Sequence, residues 1–315
     1  MPRLRNLFYG MAGAAEVMVL ERRFLDADSW GFYYGFQNHI GDIIIFSSLL
    51  NELCLQRGGK RVFLFGSKKF SWVPSLFASE RAILLHYNIN PSTWRFLPST
   101  NLVPQIGRIS PLFPEWLIGI AGWNGGTILD FYLSYLRLHP RTSPEKMRLP
   151  TEDEISLARK FMEDNDLPEG KTVLLYPLAY SVSSLPEEED GWNTIVSELI
   201  SAGYTVAVNE EKTTIKQNRT SSMVKKIFPP LNLMRGIALL SGTVVTRRSG
   251  IPDLLSGLPI RLIVVHKCES YLSAQSELSF YSQKLIGTSD SVVEVCGGKW
   301  WNTVLDNIFS TTNGI

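Results

Sequence analysis

The sequence predicts an α/β protein with two Rossmann-like domains. Its 315 residues are 44% hydrophobic and 19% charged, which is enough to bury the cores of two domains of roughly 100 to 200 residues each. In both halves of the chain, short apolar runs alternate with segments of helical periodicity, the pattern of parallel sheets covered by helices. Between the halves, residues 139–150 combine prolines with concentrated charge, the composition of a linker.

We therefore expect an N-terminal domain at residues 1–145 and a C-terminal domain at residues 146–315. Two such domains with facing parallel sheets leave a cleft between the carboxyl ends of their strands, where ligands bind. Residues 297–310 predict a final helix with an apolar face, which can return to pack on the first domain.

In the first half, an aromatic-rich strand opens the alternation. The predicted elements are a strand at 30–36, a helix at 43–55, a strand at 61–65, a short helix at 72–79, a strand at 82–85 and, after a proline-containing stretch at 88–126, a helix at 128–138. This order favours βαβ units and hence a parallel sheet.

The second half repeats the alternation. It begins with a helix that ends near Asn165, because Thr151 and Glu154 form a capping box. There follow a strand at 172–177, a helix at 192–201, a strand at 204–208, a helix at 231–240, a strand at 243–246, a helix at 252–256 and a strand at 261–265. Gly203 and Gly242 are placed to end two of these helices in the left-handed conformation.

Composition argues against several classes of function. The 31 lysines and arginines against 30 aspartates and glutamates give a net charge of +1, so no broad basic field favours nucleic acid. Three widely spaced cysteines form no Cys-x-x-Cys pair, as expected of a cytoplasmic protein in a reducing compartment. None of the four histidines stands at metal-ligand spacing from another, so we expect no tightly bound transition metal.

The N-terminal segment, residues 1–24, leaves two interpretations open. No run in the chain reaches the roughly 18 apolar residues of a membrane span. As a helix, however, this segment would carry one apolar side with arginines near both ends. Such a helix can dock on an anionic membrane surface as a peripheral contact, or it can pack on its own domain.

The strongest local signal lies where a buried strand runs into Arg247, Arg248, Ser249 and Gly250. A helix is predicted to start one or two residues later. The glycine lets a ligand approach the backbone, and two guanidinium groups stand beside the helix start, so the segment suits a phosphate or diphosphate. The alternative is structural: the serine caps the helix, and the arginines pair with acids such as Asp253.

Two further loops supply weaker candidates. The hydroxyl-rich loop at 176–192 contains Ser181 and Ser183, which can donate to phosphate or sugar oxygens; otherwise it is a surface loop. Glu210 follows the strand at 204–208, where an acid can accept hydrogen bonds from ribose hydroxyls. Its alternative is a solvated charge.

In the first half, the segment QNHIGDIIIF places Asp42 at the start of a helix that follows a strand. The helix macrodipole favours the ionised carboxylate, which could take the proton of an attacking alcohol as a general base. His39 would be its partner or an alternative base. The structural alternatives are a helix N-cap for Asp42 and a packing role for His39.

Three blocks of the sequence resemble a known family. HIGDIIIFSSLLNEL is similar to the Gly-Asp opening of bacterial lipopolysaccharide heptosyltransferases, and VLLYPLAYSVSSLPEEEDGW is similar to their loop before a tryptophan-bearing helix. LMRGIALLSGTVVTRRSGIPDLLSGLPIRLIVV is similar to their donor-binding segment. Its Arg-Ser-Gly-x-x-Asp variant also resembles fucosyltransferase-like enzymes of the same two-domain fold.

The resemblance implies a GT-B glycosyltransferase, in which two Rossmann-like domains face each other across a cleft. It implies a nucleotide sugar held mainly by the second domain, an acceptor held by the first, and no required metal. Asp42 matches the family's general base. Ser249 and Gly250 match its donor-phosphate contacts, and Glu210 matches a nucleoside contact. The family's lysine before the tryptophan helix is absent, and Arg248 replaces the usual acid before the donor glycine.

We therefore expect a metal-independent glycosyltransferase that moves a sugar from a nucleotide-sugar donor to a glycan or lipid-linked acceptor. Its place would be the biosynthesis of cell-surface polysaccharide or lipopolysaccharide. We also expect no resident cofactor, with a nucleotide sugar as donor substrate. Inversion at the sugar follows if Asp42 is the base. Two alternatives stay open: a sugar-nucleotide epimerase on the same fold, and a catalytically silent protein that binds nucleotide or glycan.

Overall fold

A computed structural model describes the larger part of the chain. The residues described are 19, 22–23, 30–34, 40–56, 61–66, 70–77, 82–86, 109–111, 125–177, 186–209, 223–267, 270–272, 275–289 and 291–310. The chain divides into two compact units, Met1–Arg148 (unit 1) and Leu149–Ile315 (unit 2). Most of the N-terminal segment, with its two interpretations, lies outside the described residues.

Unit 1 contains a four-stranded parallel sheet. Its strands are β1 Trp30–Tyr34, β2 Val62–Gly66, β3 Ala82–His86 and β4 Ile109–Pro111. They lie in the order β3-β2-β1-β4. The described helices are α1 Ile40–Ser47, α2 Leu50–Gln56 and α3 Ile128–Leu136, with a 3₁₀ turn at Val73–Leu76. The predicted parallel sheet of the first half is thus confirmed.

The single helix predicted at residues 43–55 is wrong, because the structure has two helices there, separated at Ser48 and Leu49. The hydroxyl of Ser48 donates to the carbonyl oxygen of Ile45 at 2.6 Å, and such local side-chain bonds bend helices. α1 also begins earlier than predicted, at Ile40. All eight of its residues are buried, so α1 is a core helix rather than an amphipathic one.

Unit 2 is built on a six-stranded parallel sheet. Its strands are β5 Thr172–Tyr176, β6 Thr205–Asn209, β7 Val224–Ile227, β8 Thr243–Arg247, β9 Arg261–His266 and β12 Val293–Cys296. Two short strands, β10 Ser270–Leu272 and β11 Gln275–Ser276, form a separate antiparallel pair. The order within the main sheet is β12-β9-β8-β5-β6-β7.

The helices of unit 2 alternate with these strands. They are α4 Glu152–Asp164, α5 Pro186–Ser201, α6 Met234–Ser241, α7 Gly250–Leu255, α8 Glu277–Tyr281, α9 Gln283–Ile286 and α10 Trp300–Phe309, with a 3₁₀ turn at Leu231–Leu233. In the described ranges of both units, no helix combines the length and the apolar character that crossing a membrane would need.

Several helix ends in unit 2 follow from single residues. Thr151 and Glu154 form the predicted capping box at the start of α4, and Gly242 ends α6 in the left-handed conformation, with φ of 76°. α5 starts at Pro186, six residues before its predicted start at 192, because the acidic residues that follow the proline continue the helix and complement its dipole. α7 starts at Gly250, directly after its cap.

The core of unit 2 combines the sheet with helices α5 and α10. All five residues of β5 are buried, as expected of a strand inside a parallel sheet. Trp192 of α5 joins Trp300, Val304 and Ile308 of α10 in the same buried cluster as the central strands. The final helix therefore packs on α5 within its own unit.

Candidate functional site

The strand order of unit 2 reverses between β5 and β8. From β5 the sheet continues through β6 to β7, and from β8 it continues the other way through β9 to β12. A doubly wound sheet binds its ligands beyond the carboxyl ends of the strands at this reversal. These ends are Tyr176 of β5 and Arg247 of β8. The predicted donor segment, residues 247–250, therefore lies at the expected ligand position of this sheet.

Unit 1 has the same kind of reversal at β1. Strands β2 and β3 lie on one side of β1, and β4 lies on the other. α1 is the first described helix after β1, and Asp42 lies in its first turn. The residue predicted as general base therefore follows the strand at which the order of unit 1 reverses.

Asp42 is a buried carboxylate, with 7% of its surface exposed. It is the one charged residue of α1. An ionised carboxylate loses hydration on burial and needs compensating donors or positive charge, and the N-terminal end of the α1 dipole supplies part of that compensation. The surroundings of Asp42 therefore suit a group that accepts hydrogen bonds or a proton.

Arg248 is held by its neighbours on several sides. Its Nη1 donates to Oδ1 of Asp253 at 2.9 Å and to the carbonyl oxygen of Ser249 at 3.0 Å. Its Cζ lies 4.7 Å from the ring centre of Tyr281, within cation–π range. Its backbone N–H donates to the carbonyl oxygen of Val265 at 2.8 Å. The side chains of Arg248 and Asp253 are 6% and 4% exposed, so this is a buried ion pair.

Burial and the ion pair shift the pKa of Arg248 in opposite directions. Burial disfavours the charged guanidinium, but the Asp253 carboxylate, with smaller contributions from Tyr281 and Glu277, outweighs that effect and raises the pKa of Arg248 above its ordinary value. Burial also raises the pKa of Asp253, and Arg248 and the Gln283 amide partly offset that rise. Arg248 therefore stays protonated, with its charge balanced by a buried acid.

Ser249 caps α7, because its Oγ accepts a hydrogen bond from the N–H of Ile251 at 3.2 Å. This cap and the pairing of Arg248 with Asp253 are the contacts of the structural alternative, and both are present. Arg247, which ends β8, is 3% exposed. Donor binding by residues 247–250 stays a prediction. The Ser249 cap and the Arg248–Asp253 pair already order this loop without a ligand.

A second group of buried polar residues, not expected from the sequence, lies near the Arg248 pair. His266, at the end of β9, contacts two carboxylates. Its Nε2 lies 3.2 Å from Oε1 of Glu294, and its Nδ1 lies 3.8 Å from Oε2 of Glu277. The charge of Glu277 also acts on Arg248, so the two groups form one electrostatic network.

Glu294 makes the most contacts among the acids of this network. Besides its contact with His266, it accepts hydrogen bonds from the Ser282 hydroxyl at 2.6 Å and from the backbone N–H of Gln283 at 2.9 Å. Burial by itself would raise the pKa of Glu294, but these partners outweigh burial and place the pKa below its ordinary value. Glu294 therefore carries its charge at neutral pH and connects β12 to the start of α9.

The group of His266, Glu277 and Glu294 cannot be recognised from the spacing of these residues along the sequence. His266 and Glu294 are 28 positions apart, and they meet because β12 pairs with β9 in parallel. The one available signal was a polar residue at the end of the apolar run RLIVV, at the edge of the sheet where ligands bind.

The other predicted site residues lie outside the described residues: His39, Ser181, Ser183 and Glu210. Their roles stay predictions. In the part of the chain that the structure describes, no group of three or more His, Cys, Asp or Glu side chains is arranged to hold a metal ion.

No model of a known protein family matches the chain, and no curated protein matches its sequence. Solved structures do match. A glycosyl transferase family 9 protein from Veillonella parvula is 13% identical, with a TM-score of 0.57, over 92% of this chain and 91% of that one. The ADP-heptose LPS heptosyltransferase II of E. coli is 13% identical, with a TM-score of 0.61, over 89% of this chain and 98% of that one.

A third similar structure is the E. coli heptosyltransferase WaaC with ADP. It is 11% identical, with a TM-score of 0.53, over 89% of this chain and 99% of that one. Similarity along nearly the whole length, at such low identity, shows a shared fold. The predicted fold class, and the resemblance of the chain to the heptosyltransferase fold, are confirmed.

Proposed function

We propose that the chain is a glycosyltransferase that moves a sugar from a nucleotide-sugar donor to a glycan or lipid-linked acceptor, without a metal ion. The observation that supports this proposal most is the position of two segments relative to the sheets of the two units. Asp42 follows the strand at which the order of unit 1 reverses, and residues 247–250 lie at the end of a strand at the reversal of unit 2. The expected ligand positions of the two units thus hold different groups, a carboxylate in one and two arginines before a helix start in the other.

The shared fold supports the same proposal. The similar structures are described as a family 9 glycosyl transferase, an ADP-heptose heptosyltransferase and a heptosyltransferase with ADP. From these proteins we infer only the class of donor, a nucleotide sugar, because the donor segment of this chain has its own residues. Arg248 and its partner Asp253 are the clearest example.

In the proposed reaction, Asp42 takes the proton of the acceptor hydroxyl while that oxygen attacks the anomeric carbon of the donor sugar. A carbon–oxygen bond to the acceptor forms as the bond from the anomeric carbon to the phosphate oxygen breaks. The nucleoside diphosphate leaves with the bonding electrons. Attack opposite to the leaving group inverts the anomeric centre.

Unit 2 holds the donor in this proposal. Arg247 provides positive charge where negative charge develops on the departing phosphate, so no metal ion is required. The remaining contacts are Ser249, Gly250, Ser181 and Ser183 to phosphate or sugar oxygens, and Glu210 to the ribose.

We also propose that the reaction takes place in the cytoplasm, at the inner face of a membrane that carries the acceptor. The basic start and the apolar side of the N-terminal segment support a peripheral contact with an anionic lipid surface. Deletion of this segment should then reduce sedimentation of the protein with anionic vesicles and leave nucleotide binding unchanged.

The experiment that tests the proposed function is a product assay in the presence of a chelator. The purified protein is incubated with individual nucleotide sugars, with and without an extract of bacterial glycans and glycolipids. Release of nucleoside diphosphate together with labelled acceptor supports the proposal. Conversion of the donor alone would indicate an epimerase, and binding without any product would indicate a silent binding protein.

A further inference from the structure

Arg248 has a role other than the direct phosphate contact that its position in the sequence suggests, an inference that rests on the proposed function. Its guanidinium is already committed to Asp253, to the carbonyl oxygen of Ser249 and to the face of Tyr281. The guanidinium of Arg248 therefore binds groups of the protein itself rather than a ligand.

The contact with Ser249 has a geometrical consequence. A trans peptide is planar, and its carbonyl and N–H groups point in opposite directions. Because Arg248 holds the carbonyl oxygen of Ser249 at 3.0 Å, it fixes the plane of the peptide that joins Ser249 to Gly250. Asp253 in turn fixes the guanidinium at 2.9 Å. The orientation of the loop after β8 thus depends on an acid that lies one turn into α7.

The charges lead to the same conclusion. Arg248 and Asp253 together carry no net charge, so the pair adds little positive potential for a phosphate. The carboxylate of Glu277 also acts on Arg248 and makes the surroundings of the pair more negative. Such surroundings oppose direct anion binding by Arg248, but they do not impair a role in positioning.

We propose that Asp253 and Arg248 are positioning residues for donor binding. Asp253 holds the guanidinium, the guanidinium holds the Ser249–Gly250 peptide, and that peptide holds the donor contacts in place. Tyr281 completes the arrangement by covering the face of the guanidinium. Arg247 remains the arginine that contacts phosphate.

The variant Asp253→Asn distinguishes a positioning role of Arg248 from direct phosphate binding, because the two roles predict different changes in the affinity for a nucleoside diphosphate. Asparagine has the same shape but leaves the charge of Arg248 unbalanced. If Arg248 were a phosphate ligand, loss of the competing acid would leave the affinity for a nucleoside diphosphate equal or make it higher. If the pair positions the loop, the affinity falls roughly tenfold, the order of effect of losing a partner that orients a binding group.

The measurement is calorimetric titration with whichever of ADP, GDP, UDP and CDP binds the wild-type protein most tightly. The control is Glu169→Gln, which breaks the exposed pair of Arg159 and Glu169, of nearly the same length at 2.8 Å, and should leave the affinity unchanged. A folded Asp253→Asn protein that binds as tightly as the wild type, or more tightly, overturns the proposal.

If Asp253→Asn does not fold, two other variants keep the test decisive. Arg248→Gln with Asp253→Asn leaves no unpaired charge, and Tyr281→Leu removes the ring and keeps the pair. Positioning predicts weaker binding in both, with the dependence of affinity on salt unchanged in the double variant, because the net charge is unchanged. A reduced salt dependence would identify Arg248 as a direct ligand and overturn the proposal. Failure of the wild type to bind any nucleotide would overturn the proposed function itself.

Discussion

Trp192 in α5 and Trp300 in α10 meet edge to face, with their ring centres 5.0 Å apart. Trp301 packs on Trp300 in the same manner, at 5.9 Å. The contact is possible because the residue before Trp192 is Gly191, whose missing side chain leaves space for both indoles of α10. The last described helix is thus held to the rest of unit 2 by aromatic packing over a glycine.

Gly191→Ala should destabilise unit 2. A Cβ at this position would lie 2.7 Å from Trp301 and 2.8 Å from Trp300, and such overpacking costs about 1–3 kcal/mol. That cost exceeds the gain of about 1 kcal/mol or less from replacing glycine in a helix. Chemical denaturation measures the difference. Ser197→Ala, at an exposed position of the same helix, is the control; equal stability of the two variants would contradict the packing described.

Thr151→Ala should lower the free energy of unfolding by about 1 kcal/mol. The Oγ1 of Thr151 accepts from the N–H of Glu154 at 3.3 Å, and a carboxylate oxygen of Glu154 accepts from the N–H of Thr151 at 2.8 Å. Alanine at position 151 removes the first bond and leaves the N–H of Glu154 without this acceptor. Thr151→Ser keeps the hydroxyl and should be close to the wild type; an equal loss in both variants would show that the hydroxyl is not the cause.

Glu294 should make unfolding depend on pH in the acid range. Its pKa is lower in the folded protein than in the unfolded chain, so between the two values the unfolded state binds more protons and stability rises with pH. The contribution is complete above the ordinary glutamate pKa and is lost as pH falls through the folded one.

The variant Glu294→Gln tests this dependence. It should be less stable than the wild type at pH 7 by about 1–3 kcal/mol, the range for hydrogen bonds to a charged group, with a smaller difference near pH 3. Denaturation curves at both pH values measure it. A difference that does not change with pH would show that the Glu294 charge is not stabilising.

Local sequence signals predicted the elements whose determinants are local. The capping box of Thr151 needs only residues three apart, and the strand predicted at residues 172–177 is an apolar run that needs no partner to be recognised. The break between α1 and α2 was not predicted. The Ser48 hydroxyl bonds to the carbonyl oxygen of Ile45 at this break, and an apolar pattern does not reveal such a bond.

The candidate site could be predicted only in part, for a similar reason. The segment at Arg247 and Arg248 and the carboxylate of Asp42 follow strands, so the rule for open sheets was enough to find them. The contacts of His266 with Glu277 and Glu294 depend on which strands and helices become neighbours, and spacing along the chain carries no such information.

Asp42→Asn should lower the rate of sugar transfer by about 100- to 10 000-fold, the contribution of a general base, and leave donor affinity within about twofold. The reason is that asparagine keeps the size of the side chain but cannot take a proton. Asp164→Asn, at an exposed position of α4, is the matched control. A loss of donor affinity in a folded Asp42→Asn protein would contradict the assignment of Asp42 to the acceptor.

The most direct test of the central claim is thermal unfolding of the wild-type protein with nucleoside diphosphates and nucleotide sugars, in the presence of a chelator. If the chain binds a nucleotide-sugar donor, one nucleotide stabilises the protein by about 2.7 kcal/mol at a concentration of 100 times its Kd, and folded Arg247→Gln loses most of this effect. A folded wild-type protein that no nucleotide stabilises would contradict this claim.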